Sequence, residues 1–351
     1  SSAASDVYKR QDYMIDIANE QGKFNGDIVL VKPIEFGSLD RFHDQECQYT
    51  VQLRGIVDGE PKRINRIVTS VADAVDAYGE YQKYADYAKL DSLRYIVSNT
   101  TEAGIVYDDT DRLEMEPPKS YPGKLTKFLY ERYKHFNGAM DKGLVMLPVE
   151  LIDDNGIHLK ECVEKLAVLW NLEDGFKTWL DEACVFTSTL VDRIVTGYPR
   201  DEAEELCKEF GYQDNLIVTG EPFALWVIES AKDISKEFPL PDAGLPVIFT
   251  DNQKPYKQRK VRILNGAHTS FVLASYLCGN DIVLESMQDE LIFNFMKATI
   301  FDEVIPTLTL PKQDLIDFAE AVITRFNNPY VKHALLSISL NSVSKLSLIH
   351  I

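Results

Sequence analysis

Residues 121–149 read YPGKLTKFLYERYKHFNGAMDKGLVMLPV, and this stretch decides the class of fold. Its first half places apolar side chains at helical spacing, at Leu125, Phe128, Leu129, Tyr133 and Phe136. An Asn-Gly pair ends this periodicity, and residues 144–149 then form a continuous apolar run of strand length. A run without polar alternation is typical of a strand that is buried on both faces of a parallel sheet. The stretch therefore predicts one helix–strand unit of an α/β domain.

Similar units lie on the amino-terminal side of this stretch. Residues 28–31 form an apolar run that stops at Lys32-Pro33, and residues 93–98 form a second strand-like run. Between them, residues 72–90 carry four tyrosines at a spacing of three, which indicates one face of a helix on a sheet. Later strands are expected at 216–219 and 247–250. Repeated strand–helix–strand units predict a Rossmann-type, doubly wound sheet.

The pattern changes after about residue 250, where only helical periodicity remains. Prolines and a glycine between 239 and 246 mark the boundary. We therefore predict a Rossmann-type domain over residues 12–250 and an all-α domain over residues 251–346. A doubly wound sheet begins with a strand and a glycine-rich turn, but residues 1–11 contain neither an apolar strand nor a glycine. We expect the first domain to be truncated at its amino end, and residues 1–11 and 347–351 to be foreign to the fold.

Composition excludes several classes of function. Asp and Glu number 55 against 37 Lys and Arg, so the net charge is −18 and nucleic acid and anionic membranes are unfavourable partners. The five cysteines form no CxxC pair, which favours buried thiols in a reducing compartment over disulfides or a zinc site. His135 and His158 have no partners at metal-ligand spacing, and no secretory signal is evident. We predict a cytoplasmic protein without a metal.

Residues 254–270, KPYKQRKVRILNGAHTS, contain the most informative polar set, Lys260, Asn265 and His268. On an α-helix Asn265 would lie about 140° and His268 about 80° around the axis from Lys260, so all three border one cleft. A lysine can transfer the proton of a substrate hydroxyl, while Asn and His donate hydrogen bonds to the developing alkoxide. This set suits alcohol–ketone interconversion. On spacing alone, a surface lysine with a helix-interior histidine is the favoured interpretation.

Longer strings resemble a known family. Residues 186–199, FTSTLVDRIVTGYP, and 220–229, GEPFALWVIE, resemble motifs of the polyol-specific long-chain dehydrogenases, the mannitol dehydrogenase family. Residues 260–268, KVRILNGAH, resemble the catalytic helix of that family. SNTTEAGI at 98–105 and RFNNPYVKHALLSISLN at 325–341 are similar to one branch, which interconverts D-altronate and D-tagaturonate. The resemblance extends over about residues 12–346.

The resemblance implies an NAD-binding Rossmann-type domain and a helical catalytic domain. It implies that Lys260 is the general acid/base and that Asn265 and His268 hold the substrate oxygen. Ser188 stands where the polyol enzymes usually have an asparagine that assists the oxyanion, and its hydroxyl still donates one hydrogen bond. Lys345 matches a family lysine that binds the substrate chain.

At two positions this sequence differs from the polyol enzymes in residues that would contact the substrate. Lys257 stands where those enzymes have an acidic residue, and Ser337 stands where they have a substrate-binding arginine. An added cation and a changed substrate-binding residue fit a sugar acid that ends in a carboxylate, such as a hexuronate. Mannitol or fructuronate oxidoreductase activity remains an alternative within the family. A non-catalytic fragment or sugar-acid-binding module is the alternative outside it.

The residues that would bind the cofactor are less well marked. Asn99, Thr100 and Glu102 follow a predicted parallel strand and are the best candidates for the cofactor edge. Lys32 follows another strand where an acid usually accepts the ribose hydroxyl, so Lys32 alone suggests NADP. The resemblance favours NAD. Oligomeric state has no indicator in the sequence.

Overall fold

The computed structural model describes residues 11–100 and 103–340. Contacts divide the chain into two compact units, which are considered separately. The first unit comprises residues 1–52, 65–220 and 224–251, and the second comprises 53–64, 221–223 and 252–351. Two short segments from the earlier part of the chain therefore belong with the helical unit.

The helices are α1 Gln11–Glu20, α2 Asp40–Asp44, α3 Tyr81–Tyr87, α4 Tyr121–His135, α5 Asn155–Leu169, α6 Asp174–Glu182, α7 Ala203–Phe210, α8 Lys254–Arg259, α9 Gly266–Leu277, α10 Val283–Gln288, α11 Glu290–Ala298, α12 Lys312–Phe326 and α13 Leu335–Ile338. The strands are β1 Ile28–Lys32, β2 Tyr49–Val57, β3 Glu60–Val68, β4 Val71–Asp76, β5 Tyr95–Ser98, β6 Val145–Pro148, β7 Val185–Phe186, β8 Ser188–Asp192, β9 Val195–Gly197, β10 Val218–Gly220, β11 Leu225–Glu229 and β12 Val247–Thr250.

The first unit has the predicted parallel α/β pattern. Strand β1 pairs in parallel with β4, and β5, β6 and β7 form a second parallel sheet in that order. The parallel sheet is thus split into two parts within the described residues, whereas the sequence predicted one doubly wound sheet. A third sheet, β12-β11-β8, has β11 parallel to β12 and antiparallel to β8. A fourth has the order β3-β2-β10-β9.

Two apolar cores lie in this unit, and we name each after the helices that contribute to it. The α4–α5 core includes Leu125, Leu129, Leu144, Met146 and Leu159. The α1 core includes Met14, Ala18, Val145, Leu147 and Trp226. Alternate residues of β6 enter different cores, because successive side chains of a strand point to opposite faces of the sheet. This explains why the run at 144–149 is apolar throughout.

Residues 72–90 were predicted to form one helix, and this prediction is wrong for the first part. Residues Val71–Asp76 form β4, and only Tyr81–Tyr87 form α3. Residues 71–76 precede the first tyrosine of the pattern, and their parallel pairing with β1 makes them a strand. The sequence analysis also missed the β2–β3 hairpin. Its turn is Asp58-Gly59 with φ of 55° and 80°, a common hairpin connection that needs positive φ at both residues.

The second unit is helical, as predicted, apart from the hairpin tip and one isolated bridge between Ile282 and Ala334 among its described residues. Buried contacts explain why the two earlier segments belong to it. The Nε and Nη2 of Arg325 on α12 donate hydrogen bonds to both carboxylate oxygens of Glu221, at 2.9 and 2.8 Å. The Nδ2 of Asn328 donates to the carbonyl of Arg54 at 2.9 Å.

Four of the five cysteines are buried, as expected for core thiols. Cys278 is exposed, which contradicts the expectation, because it caps the carboxyl end of α9 instead of entering a core. In the part of the chain that the structure describes, no helix has the length and apolar character to cross a membrane.

Candidate active site

The segment predicted to carry the chemistry is one continuous helical stretch made of α8, a π-helical turn over Lys260–Asn265, and α9. A proline in the first turn of α8 fits the start of a helix, because an N–H at that position would have no hydrogen-bond acceptor within the helix. The backbone N–H of Gly266 donates to the carbonyl of Val261, five residues earlier, as the wider π-turn requires. Such turns occur frequently at functional sites.

The π-turn changes the predicted positions of the polar residues. In a turn with i→i+5 bonding, Asn265 occupies the place relative to Lys260 that residue i+4 takes in an α-helix. His268 follows Asn265 by three residues in regular α-helix, so it lies on the same face again. The expected offset of about 140° between Lys260 and Asn265 is therefore wrong. The wide turn aligns Lys260, Asn265 and His268 along one helical stripe.

The imidazole of His268 is held by aromatic neighbours from the same unit. Its ring centroid lies 4.3 Å from that of Phe326 on α12, and 5.4 Å from that of His333. The backbone around His333 is itself fixed, because its carbonyl accepts a hydrogen bond from the N–H of Val283 at 3.0 Å. Burial lowers the pKa of His333. Asn265 is exposed, and Lys260 and His268 are half-buried.

Lys257 lies one helical turn before Lys260 and on the same side of the stretch. Burial lowers the pKa of the half-buried Lys257 ammonium. The neighbouring Arg259 is buried, and its guanidinium lies 4.4 Å from the ring centroid of Phe318 on α12. This contact fixes α8 against α12 and so fixes the direction of the helix face that carries both lysines.

In the first unit, the carboxyl ends of β5 and β6 bring together a second polar group. Glu150 is buried, and its Oε1 accepts hydrogen bonds from the N–H and the hydroxyl of Thr100, both at 3.0 Å. Its Oε2 accepts from the hydroxyl of Ser98 at 3.1 Å. The Nδ2 of Asn99 is buried and has no hydrogen-bond partner among the described residues. A buried donor of this kind at a parallel strand end suits the polar edge of a bound nucleotide.

Asn155, at the start of α5, connects this edge to β8. Its Nδ2 lies 3.0 Å from the carbonyl oxygens of Pro148, Glu150 and Thr189, and its Oδ1 accepts from the N–H of Thr189 at 2.9 Å. The adjacent Ser188, a predicted substrate-binding residue, is buried at the start of β8. The sequence analysis did not name Glu150 or Asn155 as site residues. The available signal was that Glu150 follows β6 and Asn155 begins α5, so both come soon after a strand that ends at the same sheet edge as Asn99.

Lys32, the residue that suggested NADP, has a structural partner. Its Nζ lies 2.9 Å from the Oδ2 of Asp76 at the end of β4 and donates to the carbonyl of Ile34 at 2.9 Å. Burial raises the pKa of Asp76, but hydrogen bonds from Lys32 and from backbone N–H groups outweigh this effect and lower it overall. Because the carboxylate of Asp76 already balances the charge of the Lys32 ammonium, Lys32 is a poor binding group for the 2′-phosphate of NADP.

Two predicted site residues, Glu102 and Lys345, lie outside the described residues. Ser337 is exposed on α13, where its hydroxyl donates to the carbonyl of Ala334 at 2.7 Å. Over residues 11–100 and 103–340, no group of three or more His, Cys, Asp or Glu side chains is arranged to hold a metal ion.

Comparisons with known proteins identify the family. Residues 11–241 match the model of the mannitol dehydrogenase Rossmann domain, and residues 252–351 match that of the mannitol dehydrogenase C-terminal domain. The chain belongs to the mannitol dehydrogenase family, which confirms the resemblance and the α/β-plus-helical fold class. Among curated relatives, the Altronate oxidoreductase of Bacteroides thetaiotaomicron is 44% identical over 334 residues, covering 95% of this chain and 70% of that protein. The Altronate oxidoreductase of Pectobacterium atrosepticum is 47% identical over 335 residues, covering 95% and 69%.

Solved structures share the fold. The substrate-free form of D-sorbitol dehydrogenase matches with a TM-score of 0.81 and 22% identity, covering 96% of this chain and 70% of that one. The Pseudomonas fluorescens mannitol 2-dehydrogenase, a ternary complex with NAD and D-mannitol, matches with a TM-score of 0.73 and 23% identity, covering 97% and 72%.

Proposed function

We propose that this protein is an oxidoreductase that interconverts D-altronate and D-tagaturonate with NAD, and that Lys260 is its general acid/base. The observation that carries the proposal is the π-turn, which aligns Lys260, Asn265 and His268 on one face of the helical stretch. The names of the curated relatives support the substrate pair.

In the reducing direction, NADH would supply a hydride to the ketone carbon beside the terminal hydroxymethyl group. As the new C–H bond forms, the carbonyl π electrons move to oxygen. Asn265 and His268 donate hydrogen bonds to this developing alkoxide. The protonated Nζ of Lys260 then transfers its proton to the oxygen, which gives the alcohol and a neutral amine. In the oxidising direction, neutral Lys260 removes the hydroxyl proton. Ser188 is proposed as a further donor to the oxygen.

The residues at the β5–β6 edge fit a dinucleotide. The buried Nδ2 of Asn99 supplies a donor for an acceptor atom of the cofactor, and Glu150 holds Thr100 and Ser98 in place around it. Asn99 and Thr100 would therefore line the cofactor, and Glu150 would act by positioning them. The salt bridge between Lys32 and Asp76 favours NAD over NADP, because it leaves that lysine unsuited to a 2′-phosphate.

A carboxylate in the substrate accounts for Lys257. A lysine whose pKa is lowered by burial gains most from an opposite charge, since the charge restores the ammonium form. A neutral ketose offers no such charge. Lys257 is thus proposed to bind the uronate carboxylate, with Lys345 as a second contact to the substrate chain. No step of the proposed reaction uses a metal.

The test compares Lys260→Ala with Lys254→Ala, because Lys254 is an exposed lysine on the same helix. Turnover of D-tagaturonate is followed by the loss of NADH fluorescence. We expect Lys260→Ala to lower kcat by about 10²–10⁴-fold, the usual contribution of general acid–base catalysis, and Lys254→Ala to leave kcat unchanged. Near-normal turnover of Lys260→Ala would remove this residue from the proposed role. Saturable NADH binding without turnover of any ketose would favour the non-catalytic alternative.

A further inference from the structure

Residues 325–333, which we name the bridging segment, contact two different parts of the second unit. The segment contains the last two residues of α12 and the connection toward α13. Two of its rings, those of Phe326 and His333, lie 4.3 and 5.4 Å from the imidazole of His268, measured between ring centroids. The planes of the two imidazoles are nearly perpendicular, at 80°. The bridging segment therefore bounds the ring of a proposed alkoxide donor.

Asn328 joins the bridging segment to the hairpin tip, residues 53–64 of the second unit. It is only 3% exposed. Its Nδ2 donates a hydrogen bond to the carbonyl of Arg54 at 2.9 Å, and its Oδ1 accepts one from the backbone N–H of Tyr330 at 3.0 Å. The same side-chain amide therefore fixes the backbone of the bridging segment and attaches it to the hairpin tip.

The hairpin tip approaches Asn328 closely at Gly55. A Cβ atom on this glycine would lie 3.2 Å from the Nδ2 of Asn328 and 2.6 Å from the Cδ of Pro222. The second distance is well below the optimal separation of two carbon atoms, about 3.5–4.0 Å. Any larger side chain at this position would push the hairpin tip away from the bridging segment. The attachment thus depends on a close approach of backbone that glycine allows.

Two further contacts lie on either side of Asn328. Arg325 forms the ion pair with Glu221 described above, and their side chains are only 6% and 2% exposed. The guanidinium of Arg63 on the hairpin tip lies 5.6 Å from the ring centroid of Tyr330, within the range of a cation–π contact. The bridging segment is therefore attached at three points to the two earlier segments of the second unit.

We infer that Asn328 is a positioning residue for His268. By binding the hairpin tip, it holds Phe326 and His333 against the imidazole and so fixes the direction of the nitrogen that donates to the alkoxide. This inference rests on the proposed function, in which His268 is such a donor. A misplacement of about 1 Å can cost on the order of 10²-fold in rate, even when its cause lies far from the reacting atoms. An attachment behind the ring therefore affects the chemical step.

The experiment measures kcat and KM with D-tagaturonate and NADH for Asn328→Ala, His268→Phe and the double variant. His268→Phe keeps an aromatic ring in the cluster but removes the hydrogen-bond donor. We expect Asn328→Ala to lower kcat by about tenfold when His268 is present. In the His268→Phe background it should lower kcat by less than about twofold, because a donor that is absent cannot be misplaced. KM for NADH should stay unchanged, since the proposed cofactor residues belong to the first unit.

Asn327→Ala is the matched control, because the Nδ2 of Asn327 donates to the carbonyl of Ile323 in its own helix, at 2.9 Å. It should leave kcat unchanged. Arg63→Met is a milder variant at an exposed position. It should lower kcat in the same direction as Asn328→Ala but by a smaller factor, and this effect should also vanish in the His268→Phe background. If Asn328→Ala does not fold, Arg63→Met completes the same cycle.

The cycle separates positioning from a purely structural role. An equal loss of kcat in both backgrounds would show that Asn328 acts on the fold and not through His268, and would overturn the inference. Full activity of Asn328→Ala would overturn it as well. Full activity of His268→Phe would instead refute the alkoxide-donor role in the proposed function, and the inference with it.

Discussion

The most demanding prediction concerns Asn155, which is completely buried between β6, β8 and the Glu150 carbonyl. An amide NH₂ has two hydrogens, so the three carbonyl contacts of Nδ2 share two donors. With the bond that Oδ1 accepts from Thr189, Asn155→Ala removes the equivalent of three hydrogen bonds. At about 1 kcal/mol each, the free energy of unfolding should fall by about 3 kcal/mol. For a unit of this size, Tm should fall by roughly 6–12 °C.

The isosteric change Asn155→Asp should be worse than the alanine variant. It keeps the shape and the acceptor for Thr189, but it removes both donors and places a carboxylate among three carbonyl oxygens. Burying an uncompensated charge adds a loss on the order of 3–5 kcal/mol, or forces the carboxyl to take up a proton. The assay is urea unfolding of the first unit followed by tryptophan fluorescence, together with calorimetric Tm.

Asn25→Ala is the matched control, because Asn25 is an exposed asparagine in the same unit. It should leave the free energy of unfolding within about 0.5 kcal/mol of the wild type. If Asn155→Asp is as stable as the wild type, or more stable than Asn155→Ala, the amide is not the donor that joins the two strand ends. The assignment of its Nδ2 and Oδ1 would then be wrong.

Three further predictions follow from the charges, and a fourth concerns metal ions. Burial lowers the pKa of Lys124 to about 8, so its contribution is unfavourable below pH 8 and is relieved as the pH rises toward the unfolded value of 10.5. Between pH 7.5 and 10, the wild type should gain about 2–3 kcal/mol in unfolding free energy relative to Lys124→Met, and parallel curves would refute this. Arg325→Met should cost about 3–5 kcal/mol by leaving Glu221 buried without its cation, and the added change Glu221→Gln should recover part of the loss; no recovery would show that the ion pair is not the cause. Lys257→Glu should reduce kcat/KM for tagaturonate much further than for a neutral ketose, whereas Lys254→Glu should not, and an unchanged ratio would move carboxylate binding to another group. EDTA should leave turnover unchanged, and activity lost in EDTA and restored by zinc would contradict the assignment of the proton transfer to Lys260.

Local patterns were sufficient for most of the elements. The runs at 28–31, 93–98 and 144–149 became β1, β5 and β6, and the periodicity at 125–136 became α4. These predictions succeed because a strand buried on both faces must be apolar at every position, whereas a helix on a sheet needs only one apolar face. The tyrosine spacing within 72–90 predicted α3 but not where that helix begins. Residues 71–76 precede the first of these tyrosines and form a strand through pairing with β1.

What the sequence determined by itself was the set of chemically useful side chains and the family motifs around them. Lys260, Asn265 and His268 were identifiable because their types suit proton transfer and alkoxide binding. Their alignment was decided only in the tertiary structure, because a π-turn replaces one i→i+4 turn where α8 and α9 pack against α12, and spacing alone does not reveal it. Glu150 and Asn155 depended in the same way on contacts between strand ends that are distant in the chain. Side-chain chemistry is a property of each residue, but hydrogen-bond geometry arises only when separate segments are brought to one place.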